Sequence, residues 1–214
     1  MTKLDSRDFI LQEIIKSKSK LSDRINLEKE INSNLIFGNL SKSIDNVFAE
    51  EFEKAGGNLF LCNNDNEFIK NFKEQILKYK WKNLFCIDKN IQNILNKEEI
   101  LYKSNQTEFN SMEAGITYCE NLIARFGSVM ISSYKGSGRK LNVFPPVHII
   151  IAYSSQIVEN IEDAFDYIQK KYNGEFPSMV SLITGPSRTA DIEKTLIMGA
   201  HGPKELFLFL INNT

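Results

Sequence analysis

Short apolar runs alternate with amphipathic segments between residues 40 and 95, and this alternation limits the fold more than any other feature of the chain. The amphipathic segments carry apolar residues every three or four positions, as helices with one buried face do. The apolar runs between them have the length of buried strands. This order of strands and helices is typical of a parallel sheet with helices on its faces. The predicted elements are helices over residues 40–55 and 67–80, strands over 58–62 and 81–87, and a short helix capped by Asp88.

The second half of the chain contains far more turn residues than the first half. All five prolines lie after residue 144, and eight of the eleven glycines lie after residue 114. Functional residues concentrate in turns and loops, so we expect a functional site in this half. The predicted elements are a strand and loop over residues 97–112, a short helix from Thr117 to Gly127, strands over 128–132, 148–153 and 179–183, and a helix over 159–172.

Residues 5–35 are predicted to be helical, because apolar residues such as Ile10 and Ile14 recur at helical spacing. The predicted organisation is an N-terminal helical arm over residues 1–36, followed by an α/β domain over residues 37–214. The arm either covers the core as a solvated helix or packs on a second subunit, and the pattern fits both.

The stretch from residue 179 to residue 198 predicts a strand, a turn and a helix in that order. Turn residues follow the apolar run, and Thr189 has a side chain suited to a helix N-cap. Free backbone N–H groups at a helix start bind anions, and Arg188 adds a bidentate donor for phosphate or carboxylate. We therefore predict an anion site at Gly185, Ser187, Arg188 and Thr189, here called the 185–189 loop. A tight turn in which Arg188 pairs with a carboxylate fits the spacing equally well.

Histidine occurs only at positions 148 and 201. His201 and Gly202 follow the predicted helix, and in a parallel sheet we expect them near the carboxyl ends of the strands. Gly202 is predicted to help hold the anion, and His201 is predicted to transfer a proton. The alternative for either histidine is a structural residue held by hydrogen bonds.

Two glutamates flank a turn that is rich in small and polar residues. Glu113, or else Glu120, is a candidate general base or carboxylate nucleophile if the fold buries it beside Arg188. Thr117, Cys119 and Arg139 are predicted to line the same pocket, and a helix start at Cys119 would lower the pKa of its thiol. The alternatives are solvated or capping carboxylates, a buried structural cysteine and an ordinary loop around Arg139.

Composition excludes several classes of function. The formal net charge of -1 gives no electrostatic reason to bind nucleic acid or an anionic membrane. The three cysteines are far apart in sequence and form no CxxC pair, so neither a zinc site nor an iron–sulfur site is predicted in this chain. No apolar run approaches the ~20 residues of a membrane span. The charged N-terminus does not resemble a signal peptide, so we expect a soluble cytoplasmic protein.

Several motifs resemble those of the LUD-domain family. The longest is Ile-Thr-Gly-Pro-Ser-Arg-Thr-Ala-Asp-Ile-Glu at residues 183–193, followed by Gly-Ala-His-Gly-Pro at residues 199–203. Shorter matches lie at residues 113–119, 123–129 and 146–149. The resemblance implies a fold of the NagB/RpiA/CoA-transferase type, which is a Rossmann-type, mostly parallel sheet flanked by helices.

The resemblance also implies a function. It implies that this chain, as a component of an L-lactate dehydrogenase system, helps to oxidise L-lactate to pyruvate, with the iron–sulfur clusters carried by partner proteins. Residues 125–127 read Arg-Phe-Gly where many LUD proteins carry Glu-Thr-Gly, so no carboxylate role is assigned to position 125. Two other functions stay open: an independent enzyme of this fold group that acts on a phosphosugar or acyl-CoA, and a non-catalytic assembly module.

Overall fold

The computed structural model describes residues 7, 9–16, 38–134, 139–192 and 195–213. The chain divides into two compact units, Met1–Ser41 and Lys42–Thr214. Residues 9–16 of the first unit are helical, as predicted, and most of the predicted arm lies outside the described residues. The boundary at residue 36 therefore stays a prediction.

The helices of the second unit lie within a few residues of their predicted positions. Two of them begin at side-chain caps, which satisfy backbone N–H groups of the first turn. Asn64 Oδ1 accepts from the Glu67 N–H at 3.0 Å, and Asp88 Oδ1 accepts from the Asn90 N–H at 2.8 Å. The helices are α1 (Ile44–Lys54), α2 (Asp65–Tyr79), α3 (Lys89–Lys97) and α4 (Ile161–Lys171).

The described residues form two sheets and a separate hairpin. The strands are β1 (Asn58–Cys62), β2 (Leu84–Cys86), β3 (Ala114–Tyr118), β4 (Asn121–Ile123), β5 (Ser128–Ser132), β6 (Val147–Tyr153), β7 (Ile157–Val158), β8 (Val180–Ile183), β9 (Arg188–Ile192), β10 (Thr195–Met198) and β11 (Glu205–Ile211). The larger sheet has the order β1-β11-β6-β3-β2, and its strand pairs are parallel. The smaller sheet has the order β7-β4-β5-β8, with β5 antiparallel to both neighbours.

Both faces of the parallel sheet are covered, as its nearly continuous apolar strands require. Alternate residues of a strand point to opposite faces. Ile149 and Phe209 pack with α2 and α3 on one face, whereas Ile150 and Leu208 pack with α1 and the smaller sheet on the other. The outer side of the smaller sheet packs in turn against Ile168 of α4. The order of layers is therefore α2 and α3, the parallel sheet, the smaller sheet with α1, and α4.

The helix predicted between Thr117 and Gly127 is wrong. Thr117 belongs to β3, which β2 and β6 pair on either side. A β-branched residue suits such a buried strand. The chain then forms β4 and a 3₁₀ turn, Ala124–Phe126, which Gly127 ends with a φ of 56°.

The helix predicted after Arg188 is also wrong. Strands β9 and β10 form an antiparallel hairpin in which Ile197 pairs with Thr189 and Met198 pairs with Arg188. The hairpin satisfies backbone groups that a helix would have satisfied internally. Thr189 consequently lies within a strand and caps no helix.

The prediction of a mostly parallel α/β sheet flanked by helices is confirmed. The polar segment before β3 forms a 3₁₀ helix, Gln106–Ser111, and a single bridge between Lys103 and Phe85 instead of the expected strand. Among the described residues, no helix is long and apolar enough to cross a membrane.

Candidate functional site

The 185–189 loop packs against the segment that precedes β11. The Ser187 N–H donates to the Pro203 carbonyl at 2.8 Å, and the Gly199 N–H donates to the Ser187 carbonyl at 2.9 Å. A Cβ atom on Gly202 would lie 3.1 Å from the Cβ of Ser187. Ser187 and Gly202 therefore lie close together.

Arg188 has a structural partner at the end of α1. Its Nη2 donates to the Ala55 carbonyl, and its guanidinium lies against Gly56. A cation at this position complements the negative C-terminal end of the helix dipole. Since β9 replaces the expected helix, no helix start in the described part of the chain supplies N–H groups beside Arg188, and anion binding by the loop stays a prediction.

His201 lies at the edge of the sheet opposite to the one predicted. It precedes β11, so it lies near the amino ends of the parallel strands. Its side chain is exposed. A segment that leads into a parallel strand lies at the amino end of that strand, so the expected position was wrong whether a helix or a hairpin precedes His201.

Glu113 joins the starts of two strands. Its Oε2 accepts from the backbone N–H groups of Lys82 at 2.6 Å and Asn83 at 3.0 Å. The hydrogen bond from Asn83, followed by that from Lys82, holds the pKa of Glu113 below its usual value. These bonds fit the capping carboxylate that was the alternative to a catalytic role.

Thr117 is buried within the parallel sheet. Its Oγ1 lies 2.9 Å from Nε2 of His148 on the neighbouring strand. Burial lowers the pKa of His148 to about 3, so the ring is neutral at neutral pH.

Cys119 and Arg139 lie in different local structures. Cys119 is fully buried directly after β3. No helix begins at Cys119, so no helix dipole is available there to lower the pKa of its thiol. Arg139 is exposed, and its Nη2 donates to Ser178 Oγ at 2.7 Å. This bond links the turn after β5 to the segment before β8.

Glu120 is a fully buried carboxylate with several donors. It accepts hydrogen bonds from Ser132 Oγ at 2.5 Å, Lys171 Nζ at 2.7 Å and Tyr172 OH at 2.8 Å. Burial alone would raise the pKa of Glu120, but the hydrogen bonds from these groups outweigh it and lower the pKa. Ser132 ends β5, and the other end of that strand, Ser128, contacts Thr184 beside the 185–189 loop. Glu120 therefore does not reach Arg188.

A polar cavity of about 480 Å³ opens where β2, β3 and β6 end. Ligands of open α/β sheets bind outside the carboxyl ends of the strands, so this is the edge where a site is expected. Four aromatic rings dominate its wall, and we call it the tyrosine cavity. Its lining residues are Asp88, Asn90, Tyr118, Tyr134, Tyr153, Gln156 and Tyr167.

The floor of the tyrosine cavity consists of the last residues of two neighbouring strands. Tyr118 ends β3, Tyr153 ends β6, and their hydroxyl groups are hydrogen bonded to each other. Burial is the main cause that raises the pKa of both phenols. Both groups are therefore neutral hydrogen-bonding groups at neutral pH.

Neighbouring side chains hold the cavity wall in place. The Tyr134 ring meets the Tyr172 ring edge to face, with 4.7 Å between centroids. Lys171 Nζ lies 5.4 Å from the centroid of Tyr167 while it pairs with Glu120. The ion pair between Lys171 and the buried Glu120 thus helps to hold α4, which carries Tyr167, at the cavity.

A model of the LUD domain matches residues 10–211 of this chain. The chain belongs to the LUD-domain family. The resemblance of the 183–193 and 199–203 motifs is thereby confirmed.

Curated relatives match this LUD domain over part of their length. The chain is 38% identical over 125 residues to an uncharacterized protein of Neisseria meningitidis serogroup B, a match that covers 58% of this chain and 52% of that protein. It is 36% identical over 118 residues to lactate utilization protein C of Bacillus subtilis, covering 54% of this chain and 47% of that protein. It is 28% identical over 163 residues to lactate utilization protein C of Macrococcus caseolyticus, covering 75% and 64%. The chain spans about half the length of the first two relatives and somewhat more of the third.

One solved structure supports the fold of this LUD domain. A crystal structure of a DUF162 family protein from Deinococcus radiodurans superposes with a TM-score of 0.58 at 17% identity. The match covers 81% of this chain and 99% of that chain. At this identity the likeness concerns the fold alone.

The LUD domain carries an ion pair at Arg125. Arg125 Nη2 donates to Glu159, which lies just before α4. The Arg125 side chain is only 10% exposed. Arg125 thus ties the 3₁₀ turn after β4 to the start of α4.

A second, mostly apolar cavity of about 510 Å³ lies beside α2. Leu77 and Leu101 contribute exposed apolar surface to it. Its charged residues include Lys73 and Glu98, which pair with each other at 2.8 Å. This cavity therefore presents fewer polar groups that could bind a ligand than the tyrosine cavity does.

Metal ligands do not converge in the described part of the LUD domain. No group of three or more histidine, cysteine or carboxylate residues there is arranged to hold a metal ion. The cysteines Cys62, Cys86 and Cys119 are buried thiols, and burial raises the pKa of Cys86 to about 12.

No sequence motif predicted the tyrosine cavity. Its rings come from β3, the turn after β5, β6 and α4, so no short motif contains them. A usable signal was present, because Tyr118, Tyr153 and Asp88 each end or follow a strand of the parallel sheet.

Proposed function

We propose that this LUD-domain chain is a ligand-binding subunit of a lactate-utilization system that oxidises L-lactate to pyruvate together with iron–sulfur partner proteins. The observation that carries the proposal is the family match over residues 10–211, together with relatives named lactate utilization protein C. The chain covers about half to two thirds of those two relatives, so the activity of a whole protein is itself part of the proposal.

In this proposal the partner proteins carry out electron transfer and this chain binds a ligand. Iron–sulfur clusters are usually held by four cysteine thiolates. This chain has three cysteines, which are far apart in sequence and buried. The described chain instead offers a cavity and a packed loop, which are features of a binding subunit.

Growth on L-lactate tests the role in the pathway. Deletion of the gene is expected to abolish or strongly slow growth on L-lactate as sole carbon source, and to leave growth on pyruvate unchanged. Reintroduction of the wild-type gene should restore growth. Normal growth of the deletion strain on L-lactate would contradict the proposal.

Purification under anaerobic conditions tests the partner proteins. A tagged chain from cells grown on lactate should retain proteins that show the visible absorption of iron–sulfur clusters. The matched control is the same tagged chain from cells grown without lactate. A chain that purifies without such proteins after mild crosslinking would contradict the assignment of partners.

The predicted anion at the 185–189 loop is a separate part of the proposal. Ser187 and Gly202 lie together there, and the Arg188 side chain is exposed beside them. Calorimetric titration with L-lactate, pyruvate and inorganic phosphate is expected to show binding that Arg188→Ala removes and Arg188→Lys partly keeps. Binding that is equal in Arg188→Ala and the wild type would place the anion elsewhere.

A further inference from the structure

The tyrosine cavity has the composition of a site for a positively charged ring. Asp88 is the only charged side chain among its described lining residues, and it is 8% exposed. Asp88 Oδ1 caps α3, whereas Oδ2 has no hydrogen-bond partner among the described residues. A carboxylate at the cavity wall that has one oxygen available to accept favours a ligand that brings a positive charge or an N–H donor.

No cationic side chain is among the described residues that line the cavity with Asp88. Lys171 is the cation beside the cavity wall, and its charge is matched by Glu120 at 2.7 Å. Tyr118 and Tyr153 are neutral, because burial raises the pKa of both phenols. The described lining of the cavity therefore carries a net negative charge, which disfavours a small carboxylate such as lactate as its occupant.

The aromatic wall selects for a flat cation. The faces of tyrosine rings attract cations, and flat heterocycles stack on them. The volume of about 480 Å³ lies within the range of sites for small organic ligands. The amide groups of Asn90 and Gln156 at the wall are suited to position polar substituents of a ring.

We propose that the tyrosine cavity binds a positively charged, flat nitrogen heterocycle of the N-alkylpyridinium class, with its charge facing Asp88 and its ring against the tyrosines. This binding does not depend on a role in lactate utilization. Tyr167, on α4, contributes a ring that is 41% exposed and can be changed without opening the core.

Three probes of nearly the same shape test the preference for charge. The cation 1-methylnicotinamide, neutral nicotinamide and the anion nicotinate are titrated into the whole chain and followed by NMR and calorimetry. The expected order of affinity is cation, then neutral ring, then anion, with about a tenfold advantage for the cation over the neutral ring. Equal or tighter binding of nicotinate, or no binding of 1-methylnicotinamide at millimolar concentration, would overturn the proposal.

Two variants locate the site. Asp88→Asn keeps a good cap on α3, because asparagine and aspartate cap helices about equally well, but removes the charge. It is expected to lower the affinity for 1-methylnicotinamide about tenfold, to that of nicotinamide. Tyr167→Leu should weaken binding of the cation by a similar factor, since it removes one ring.

The matched control is Phe165→Leu, which removes another exposed ring from α4. Phe165 packs near Phe176 and does not line the tyrosine cavity. Unchanged binding in Phe165→Leu, with thermal melting that shows all variants folded, supports the site. If Asp88→Asn and Tyr167→Leu both bind 1-methylnicotinamide as the wild type does, the cation lies elsewhere and the proposal is wrong.

Discussion

His148 is a fully buried histidine whose protonation is coupled to folding. Its Nε2 is hydrogen bonded to Thr117, and its Nδ1 has no partner among the described residues. Burial disfavours the charged ring and lowers the pKa of His148 to about 3, whereas the unfolded chain would bind a proton near pH 6.5.

We predict that the chain loses stability as the pH falls below about 6.5. The pKa of His148 is lower in the folded chain than in the unfolded chain. The stabilisation from neutral His148 is therefore complete above the unfolded pKa and declines between about pH 6.5 and 3. The decline should approach about 1.4 kcal/mol per pH unit. Urea unfolding between about pH 5 and 6.5 measures it, in a range where carboxylates contribute little. His201→Gln, which changes the exposed histidine, should keep the slope, and a flat wild-type profile would contradict the prediction.

Glu120 is the second buried residue whose charge matters for stability. We predict that Glu120→Gln costs about 3 kcal/mol, because it leaves the ammonium of Lys171 without its buried partner. The double variant with Lys171→Met should recover part of this loss, since no charge then lacks a partner. Chemical denaturation of the single and double variants measures both, and a single variant as stable as the wild type would be inconsistent with this role.

Individual residues were the hardest feature to assign from sequence. Glu113 and Glu120 both looked like candidate catalytic carboxylates, yet backbone N–H groups hold the first and an ammonium with two hydroxyls holds the second. These donors come from positions 12 to 52 residues away in sequence. A local pattern contains no information about such partners, so it could not separate a cap from a catalyst.

At the scale of elements, the 185–189 loop closes tightly on the end of α1. Gly185 has a φ of 76°, and a Cβ atom there would collide with the carbonyl oxygen of Ala55. The same carbonyl accepts from Arg188. The 185–189 loop therefore holds the β9–β10 hairpin against the end of α1. Gly185 and Arg188 each contribute to this contact.

We predict that Gly185→Ala destabilises the chain by more than Gly174→Ala does. Gly174 has a similar φ of 81°, but a Cβ atom there would meet nothing within 4 Å. Gly174→Ala should cost about 1 kcal/mol for the backbone conformation alone. Gly185→Ala should cost about 2 kcal/mol more, because the chain must also move away from Ala55. Thermal unfolding of the pair measures the difference, and equal losses would rule out the close contact.

Long helices in which apolar residues repeat every three or four positions were predictable from the sequence. Short elements whose pattern fits either a helix or a strand were not. Helix α2 is fifteen residues long, and apolar residues such as Phe68 and Phe72 recur along it at helical spacing. The segment after Arg188 offered one cap-like threonine and two acids, which suggested a helix start. Its β-branched residues, such as Thr195 and Ile197, suit the extended hairpin, and cross-strand pairing decided between the two.

At the scale of the whole molecule, Phe209 connects the layers on one side of the parallel sheet. Its ring lies 5.5 Å from that of Phe68, 5.6 Å from that of Phe72 and 4.9 Å from that of Phe60. Phe209→Ala is expected to cost about 4 kcal/mol, because it opens a cavity between a central strand and α2. Leu61→Ala, on the neighbouring strand β1, should cost under about 0.5 kcal/mol, since Leu61 is 63% exposed. Similar losses in the two variants, measured by urea unfolding, would contradict this account of the core.

The parallel sheet followed from the sequence, but the smaller sheet did not. The βα rhythm of residues 58–97 predicts parallel pairing, because a helix between strands returns the chain in the same direction. Strands β4 and β7 have only three and two residues, and they pair with each other although β5 and β6 lie between them in sequence. Such pairings depend on tertiary packing, which no window of sequence represents.

The position of β11 has a consequence for how the chain is made. β11 lies between β1 and β6, so Asn58 pairs with Phe207, near the opposite end of the chain. A ribosome releases residue 58 long before residue 207, and until then β1 and β6 each lack a neighbour. Unpaired strand edges promote aggregation of partly folded chains. During synthesis the nascent chain therefore exposes two unpaired strand edges until β11 emerges, so this interval is when aggregation of the chain is most favoured.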